Sequence, residues 1–264
     1  MAPYRLPPRV QSRRRLTGGS RFPLLPLLLL AAIVGAIWWW PEDKADSAPA
    51  PNPVGVPTPI PGTRTLASPL ALDVVIDESP STSTSDPRGL RHSEAKAIAR
   101  WMSRYSENAA DRFGAIEFAG KARGVRPAPV ARAAIVLDRL FRAPIASLGN
   151  GTDLAPAAKL VDRDLEPLRN ARRVVIVLSD GQLSDMSTIP AVVGRLRAAA
   201  DSVYVVGLNG DGIWATQTRH SWEGLGLAGV LQLNKVGKNR LAQTVANIVL
   251  RETGQQVRLP ATSH

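Results

Sequence analysis

From position 70 onward, short apolar runs alternate with stretches in which apolar residues recur every three or four positions. The runs at 72–76 (LDVVI), 113–118 (FGAIEF), 173–178 (RVVIVL), 203–208 (VYVVGL) and, more weakly, 230–233 (VLQL) have the length and composition of strands. Between them, apolar residues at 90, 97, 98, 101, 102 and 105 keep helical spacing, and 131–142, 153–165 and 189–200 also read as helices. A last helix is expected from a cap at Asn239, with Leu241, Val245, Ile248 and Val249 turned inward and Gly254 ending it. Strand–helix alternation of this kind predicts an α/β domain: a doubly wound, mostly parallel six-stranded sheet with helices on both faces. In such sheets ligands bind beyond the carboxyl ends of the strands, so the loops there are where chemistry is sought.

The segment before position 70 follows a different pattern. Residues 22–40 (FPLLPLLLLAAIVGAIWWW) are 19 positions without a charge, about 28 Å as a helix, against a hydrocarbon thickness of about 30 Å. Pro23 and Pro26 fall in its first turns, and Trp38, Trp39 and Trp40 stand where an interfacial aromatic belt belongs. The sequence predicts one transmembrane helix, a signal anchor. A cleaved signal peptide is the competing reading, but its apolar core is usually only about 7–15 residues. Residues 41–69 hold eight prolines among Ala, Ser, Thr and Gly and read as a semi-rigid stalk. The expected order is a basic cytoplasmic tail at 1–21, the membrane helix at 22–40, the stalk at 41–69, the α/β domain at 70–254 and a tail at 255–264.

Charge sharpens this picture. The 264 residues carry 33 Lys+Arg against 22 Asp+Glu, a net charge of +11. Six arginines and no acid lie in residues 1–21, which marks that end as cytoplasmic rather than as a nucleic-acid patch. No nucleic-acid partner is expected, and the domain is expected outside the cytoplasm at the cell membrane. With no cysteine, disulfides, iron–sulfur clusters and thiol nucleophiles are excluded. His92, His220 and His264 are far apart in sequence and form no H-E-x-x-H pair.

Three loops carry the candidate chemistry. The run at 72–76 leads into Asp77-Glu78-Ser79-Pro80-Ser81, a D-x-S-x-S arrangement; the run at 173–178 leads into Ser179-Asp180-Gly181; between them lies Gly149-Asn150-Gly151-Thr152-Asp153. Each alone has a plain reading, as a polar loop before a cap at Asp86-Pro87, as a turn, and as a helix N-cap. Together and in this order they resemble the von Willebrand factor type A (VWA) family and its metal-ion-dependent adhesion site. The resemblance spans about residues 70–254 and implies a Mg²⁺ or Mn²⁺ ion at the top of the sheet. By position, Asp77, Ser79 and Ser81 match the first motif, Thr152 the second loop and Asp180 the third. The family implies direct ligation by Ser79, Ser81 and sometimes Thr152, with Asp77 and Asp180 acting largely through waters. Mg²⁺ takes six oxygens at about 2.0–2.1 Å and keeps several waters. A shell of hydroxyls and water leaves its charge under-neutralised, so it attracts a carboxylate from a partner protein. Two departures stand out: Pro80 where the family usually has glycine, and Glu78, a further carboxylate expected beside the site.

The function expected is recognition without catalysis: an anchored, exported domain holding an acidic residue of a protein partner through a metal ion. The alternative is a metal-dependent phosphatase-like hydrolase on the same scaffold. That chemistry wants D-x-D, and position 79 is Ser. There is no P-loop and no G-x-S-x-G elbow, and Gly149-x-Gly151 lacks the third glycine of a dinucleotide loop. A scaffold whose metal site is purely structural is the third possibility.

Overall fold

The structure, a computed structural model, describes residues 55–86, 88–184, 186–208, 219–233 and 239–258. The expected membrane helix at 22–40 and the basic tail lie outside the described residues; among those described, no helix is long and apolar enough to cross a membrane.

The strands are β1 (Thr58–Pro59), β2 (Leu70–Asp77), β3 (Arg112–Phe118), β4 (Ala122–Pro129), β5 (Arg172–Ser179), β6 (Ser202–Gly207), β7 (Gly229–Gln232) and β8 (Val257–Arg258). The main helices are α1 (Thr82–Ser85), α2 (Leu90–Tyr105), α3 (Val130–Leu140), α4 (Ala155–Leu165), α5 (Ile189–Ala199) and α6 (Arg240–Thr253). Six strands form one sheet in the order β4-β3-β2-β5-β6-β7, and only β4 runs antiparallel to its neighbour. Every residue of β2 and β6 is buried, as expected of parallel strands covered on both faces.

Alternate β2 residues feed two apolar layers. Leu70, Leu72, Val74 and Ile76 pack with α2 and α6 through Ile98, Met102, Leu241 and Val245. Ala71 and Val75 pack with α4 and α5 through Ala158, Val161, Val193 and Leu196. From β2 the chain moves outward to β3 and β4, then returns to β5 on the other side of β2. The loops leaving β2 and β5 therefore diverge, and such a reversal opens a crevice at the carboxyl ends of the strands.

Three features differ from the sequence reading. The sixth strand is Ala122–Pro129, hidden in sequence by two arginines and two prolines; as the antiparallel edge it tolerates both. Residues 55–69, expected in the stalk, are built into the domain. Thr58–Pro59 pairs with Val257–Arg258 from the expected tail, Val56 is buried, and Trp101 Nε1 donates to the Pro57 carbonyl at 2.8 Å. Arg64 forms a buried ion pair with Asp111, and Thr65 and Leu66 donate to the Thr253 carbonyl. The third concerns Asn239, whose side chain makes no cap hydrogen bond. Glu94 of α2 caps α6 instead, accepting from Asn239 N and Ala242 N at 2.7 and 3.0 Å, so a carboxylate meets the positive end of the helix. Gly254 ends α6 with φ 63°, as expected of an αL stop.

Candidate metal centre

Asp77, the last residue of β2, is buried, and both its oxygens are engaged. Oδ1 accepts from the Ser79 backbone N–H at 2.8 Å and Oδ2 accepts from the Ser179 hydroxyl at 2.6 Å. The first contact folds the D-x-S-x-S loop back on its own aspartate; the second ties that loop to the end of β5. Ser79 Oγ and Ser81 Oγ lie 3.0 Å apart, so the loop presents two hydroxyls side by side.

The chain then winds into α1. Ser79 O accepts from Thr82 N, Pro80 O from Ser83 N and Ser81 O from Thr84 N, while Ser81 itself has right-handed helical φ −63°. Pro80 therefore stands at the entry to a helical turn, where a φ near −65° and a missing N–H are both suited. Asp86, after α1, accepts from Leu90 N and Arg91 N at 2.8 and 3.0 Å and caps α2. The capping role read for this loop and the ligand role fall on different residues of it.

The third loop follows Ser179, whose Oγ also accepts from Gly181 N at 3.0 Å, and buried Asp180 accepts from Gln182 N at 3.1 Å. The second loop is stitched to the third. Thr152 N donates to Ser184 Oγ at 2.8 Å and Ser184 N donates to the Thr152 carbonyl at 3.0 Å. Asp153 caps α4 at Ala155 N. Asp77, Ser79, Ser81, Thr152 and Asp180 thus stand on three loops at one end of the sheet, joined through Ser179 and Ser184. Burial, and less strongly the charge of Asp180, pushes the Asp77 carboxyl up to about 6 against the hydrogen bonds from Ser179 and Ser79. Two carboxylates and three hydroxyls, all hard oxygen donors, fit a hard divalent cation, which would relieve that repulsion.

Glu78 does not join this set. Its side chain turns away into a buried ion network, with Arg91 Nε on Oε1 at 3.0 Å, Arg91 Nη2 on Oε2 at 2.6 Å and His92 Nε2 on Oε1 at 2.5 Å. His92 also reaches Glu117 at 3.3 Å, Arg123 pairs with Glu117 at 2.7 Å, and Arg91 with Asp86 at 3.0 Å. Burial pulls the His92 pKa down, but hydrogen bonds to Glu117 and Glu78 prevail and raise it to about 9. Glu78, His92 and Glu117 lie close enough to hold an ion. The three acids are already balanced by Arg91, Arg123 and a protonated His92, so the network has no charge left for a metal to neutralise. Sequence reading left His92 as an isolated histidine and gave Ser179, Ser184 and Arg91 no role. Nothing local marks them, because their partners are brought together only by the fold.

Comparison with known proteins agrees with this architecture. Residues 73–182 match the von Willebrand factor type A domain. That stretch runs from Asp73 within β2 through β5 and contains Asp77, Ser79, Ser81, Thr152 and Asp180. No curated protein matches the chain. Among solved structures, an aerotolerance-related membrane protein from Bacteroides fragilis, carrying multiple mutations to serines, is 17% identical with a TM-score of 0.52, covering 70% of this chain and 98% of its own. A von Willebrand factor type A protein from Catenulispora acidiphila is 15% identical with a TM-score of 0.52, covering 73% and 45%. Proximal thread matrix protein 1 from the mussel byssus, with a zinc-occupied adhesion-site motif, is 15% identical with a TM-score of 0.50, covering 70% and 48%. These likenesses show the VWA fold: a doubly wound, six-stranded mixed sheet.

Proposed function

We propose that this chain is a membrane-tethered, exported VWA-type binding protein that engages an acidic residue of a partner protein through Mg²⁺ or Mn²⁺. The observation that carries the reading is the hydrogen bonding of Asp77 to Ser79 and to Ser179, of Ser79 to Ser81, and of the Thr152 loop to Ser184 in the loop that carries Asp180, at the topological reversal of the sheet. Ser79, Ser81 and Thr152 would offer hydroxyls to the ion; Asp77 and Asp180 would hold its waters and supply the negative charge. A cation held in this way supplies an open coordination position to an incoming carboxylate. Asp77 is oriented by Ser179 and Ser79, so it is held ready before any ion arrives. Engagement of Glu78 by Arg91 and His92 keeps a competing carboxylate off the binding face.

The uncharged segment 22–40, preceded by six arginines, supports an anchor with its amino end in the cytoplasm and the domain outside. The test is capture of membrane and secreted proteins by the purified chain with Mg²⁺, with Mn²⁺ and with chelator. Partners released by chelator, and lost with Asp180→Ala, are expected. Capture indifferent to chelator would remove the metal-bridged reading, and phosphate-ester turnover lost in Asp77→Asn would replace it with the hydrolase.

A further inference from the structure

The surface of α2 and α3 is charged far out of proportion to the rest. Residues 55–258 contain 26 Lys+Arg and 19 Asp+Glu. On the outward side of α2, α3 and the turn after α3 stand Lys96, Arg100, Arg104, Arg132, Arg139 and Arg142, against the single acid Asp138. Asp138 is spoken for by Lys96 at 3.0 Å. That ion pair, reinforced by Arg100 and Arg142, holds its carboxyl below the usual range, which places cations of both helices around one point.

The outer stripe of α3 adds a second observation. Its inner face is Val130, Ala133, Leu137 and Leu140. Opposite, at spacings of three, four and three, run Arg132, Ile135, Arg139 and Arg142, all exposed. Among the described residues, Ile135 is the most exposed of the large apolar side chains, at 61%. An isoleucine set among arginines, with Asp138 the one acid beside it and already paired with Lys96, combines charge attraction with an apolar side chain able to enter a headgroup layer. Pro57 accepts a hydrogen bond from Trp101 of α2 at 2.8 Å, and in sequence only residues 41–54 lie between the first described contacts of the domain and the apolar segment.

We infer that the α2–α3 flank, through Arg100, Arg132, Ile135, Arg139 and Arg142, docks the domain onto the anionic lipid headgroups of the membrane that holds residues 22–40. The inference rests on the anchor reading for its geometry, but not on the metal centre.

The absence of cysteine makes Ile135→Cys a single attachment point for an environment-sensitive fluorophore. The full chain is mixed with phosphatidylcholine vesicles, without and with about 30 mol% phosphatidylglycerol, and floated. Flotation with the zwitterionic vesicles reports the anchor; the label reports the flank. Expected is a blue shift at least threefold larger with the anionic lipid. It should be lost when NaCl reaches about 0.5 M, where screening shortens to about 4 Å, and lost in Arg132→Gln/Arg139→Gln/Arg142→Gln. Flotation only with the anionic vesicles, with the label shifted, would retain the flank and remove the anchor. Equal shifts in both lipids, or no shift in either, would overturn the inference. A shift with polyglutamate but with neither vesicle would overturn it in favour of an acidic protein surface.

Discussion

Ser179 donates its hydroxyl proton to Oδ2 of Asp77 at 2.6 Å, joining the last residue of β5 to the last residue of β2. The same hydroxyl accepts from Gly181 N, so one small side chain sets both the aspartate and the turn that carries Asp180. In Ser179→Ala the buried oxygen and the buried N–H each lose a partner, at a cost of about 1–3 kcal/mol. Chemical denaturation is expected to show that loss, and metal titration a roughly tenfold weaker Mg²⁺ affinity, equivalent to about 1.4 kcal/mol. Unchanged affinity with reduced stability would show that Ser179 supports the sheet but not the centre.

Metal binding to the native state alone must raise the melting temperature. At a hundredfold excess over Kd the gain is about 2.7 kcal/mol, or roughly 5–10 °C for a domain of this size. Both Mg²⁺ and Mn²⁺ are expected to produce it in the wild type. Asp77→Ala and Asp180→Ala are expected to fold, as judged by circular dichroism, yet show no gain. Melting curves of the wild type that ignore millimolar metal would contradict the proposed centre.

What was legible in the sequence follows from which interactions are local. Parallel strands buried on both faces read as continuous apolar runs, and α2 declares itself by its spacing. Ala122–Pro129 does not, because an edge strand is free to carry Arg123, Arg126, Pro127 and Pro129. The D-x-S-x-S loop was legible because its donors are neighbours in sequence. Ser184 was not, since its partner Thr152 is 32 positions away. Glu78 was visible as a residue but its direction was not: only α2, folded against β3, brings Arg91, His92 and Glu117 to it. The prolines of 55–69 suggested a spacer and concealed contacts with Trp101, Asp111 and Thr253.

The boundary of the folded unit has its own test. Asp111 binds Arg64 through both oxygens and also accepts from Leu70 N and the Ser106 hydroxyl. Arg64 and Asp111 side chains are 5% and 2% exposed, so removing either leaves a buried charge alone. Asp111→Ala is expected to lose about 3–5 kcal/mol in urea denaturation. A chain begun at residue 70 should be destabilised as much, while one begun at 55 should match the full chain. Equal stability of the two truncations would return 55–69 to the stalk.

The His92 network predicts a pH window. The folded state raises His92 from an ordinary value of 6.5 to about 9. A raised histidine pKa means that the stabilisation is complete below about 6.5 and is lost as pH climbs through about 9. The stability difference between wild type and His92→Gln is therefore expected to be largest near pH 6 and to shrink by pH 9.5. Loss of stacking on Phe141, whose ring centroid is 4.4 Å away, would contribute equally at every pH, so a difference that does not vary with pH would mean that His92 is not charged in the fold.

Asp73 offers a second titration with the opposite consequence for stability at neutral pH. It lies on β2 between Gly114 and Val175 of the adjoining strands, in the layer that faces α4. It is fully buried, and neither carboxyl oxygen has a hydrogen-bond partner among the described residues. Gly114 makes room for it: a Cβ there would sit 2.8 Å from Asp73 Oδ1. The charged groups facing it are Asp164 and Arg163 of α4. Burial and the Asp164 charge raise its pKa well above the usual range, and Arg163 only partly offsets them. The fold must therefore take up a proton that the unfolded chain releases above about pH 4. Stability from this group is complete below that pH and falls as pH rises toward the folded value. Asp73→Asn keeps the shape without needing the proton. It is expected to be more stable than wild type at pH 7, with the gap closing as pH is lowered to about 4. Denaturant melts of both proteins between pH 4 and 8 read this directly, and a variant less stable than wild type at pH 7 by the same margin as at pH 4 would show that Asp73 is ionised and has a partner in the folded protein.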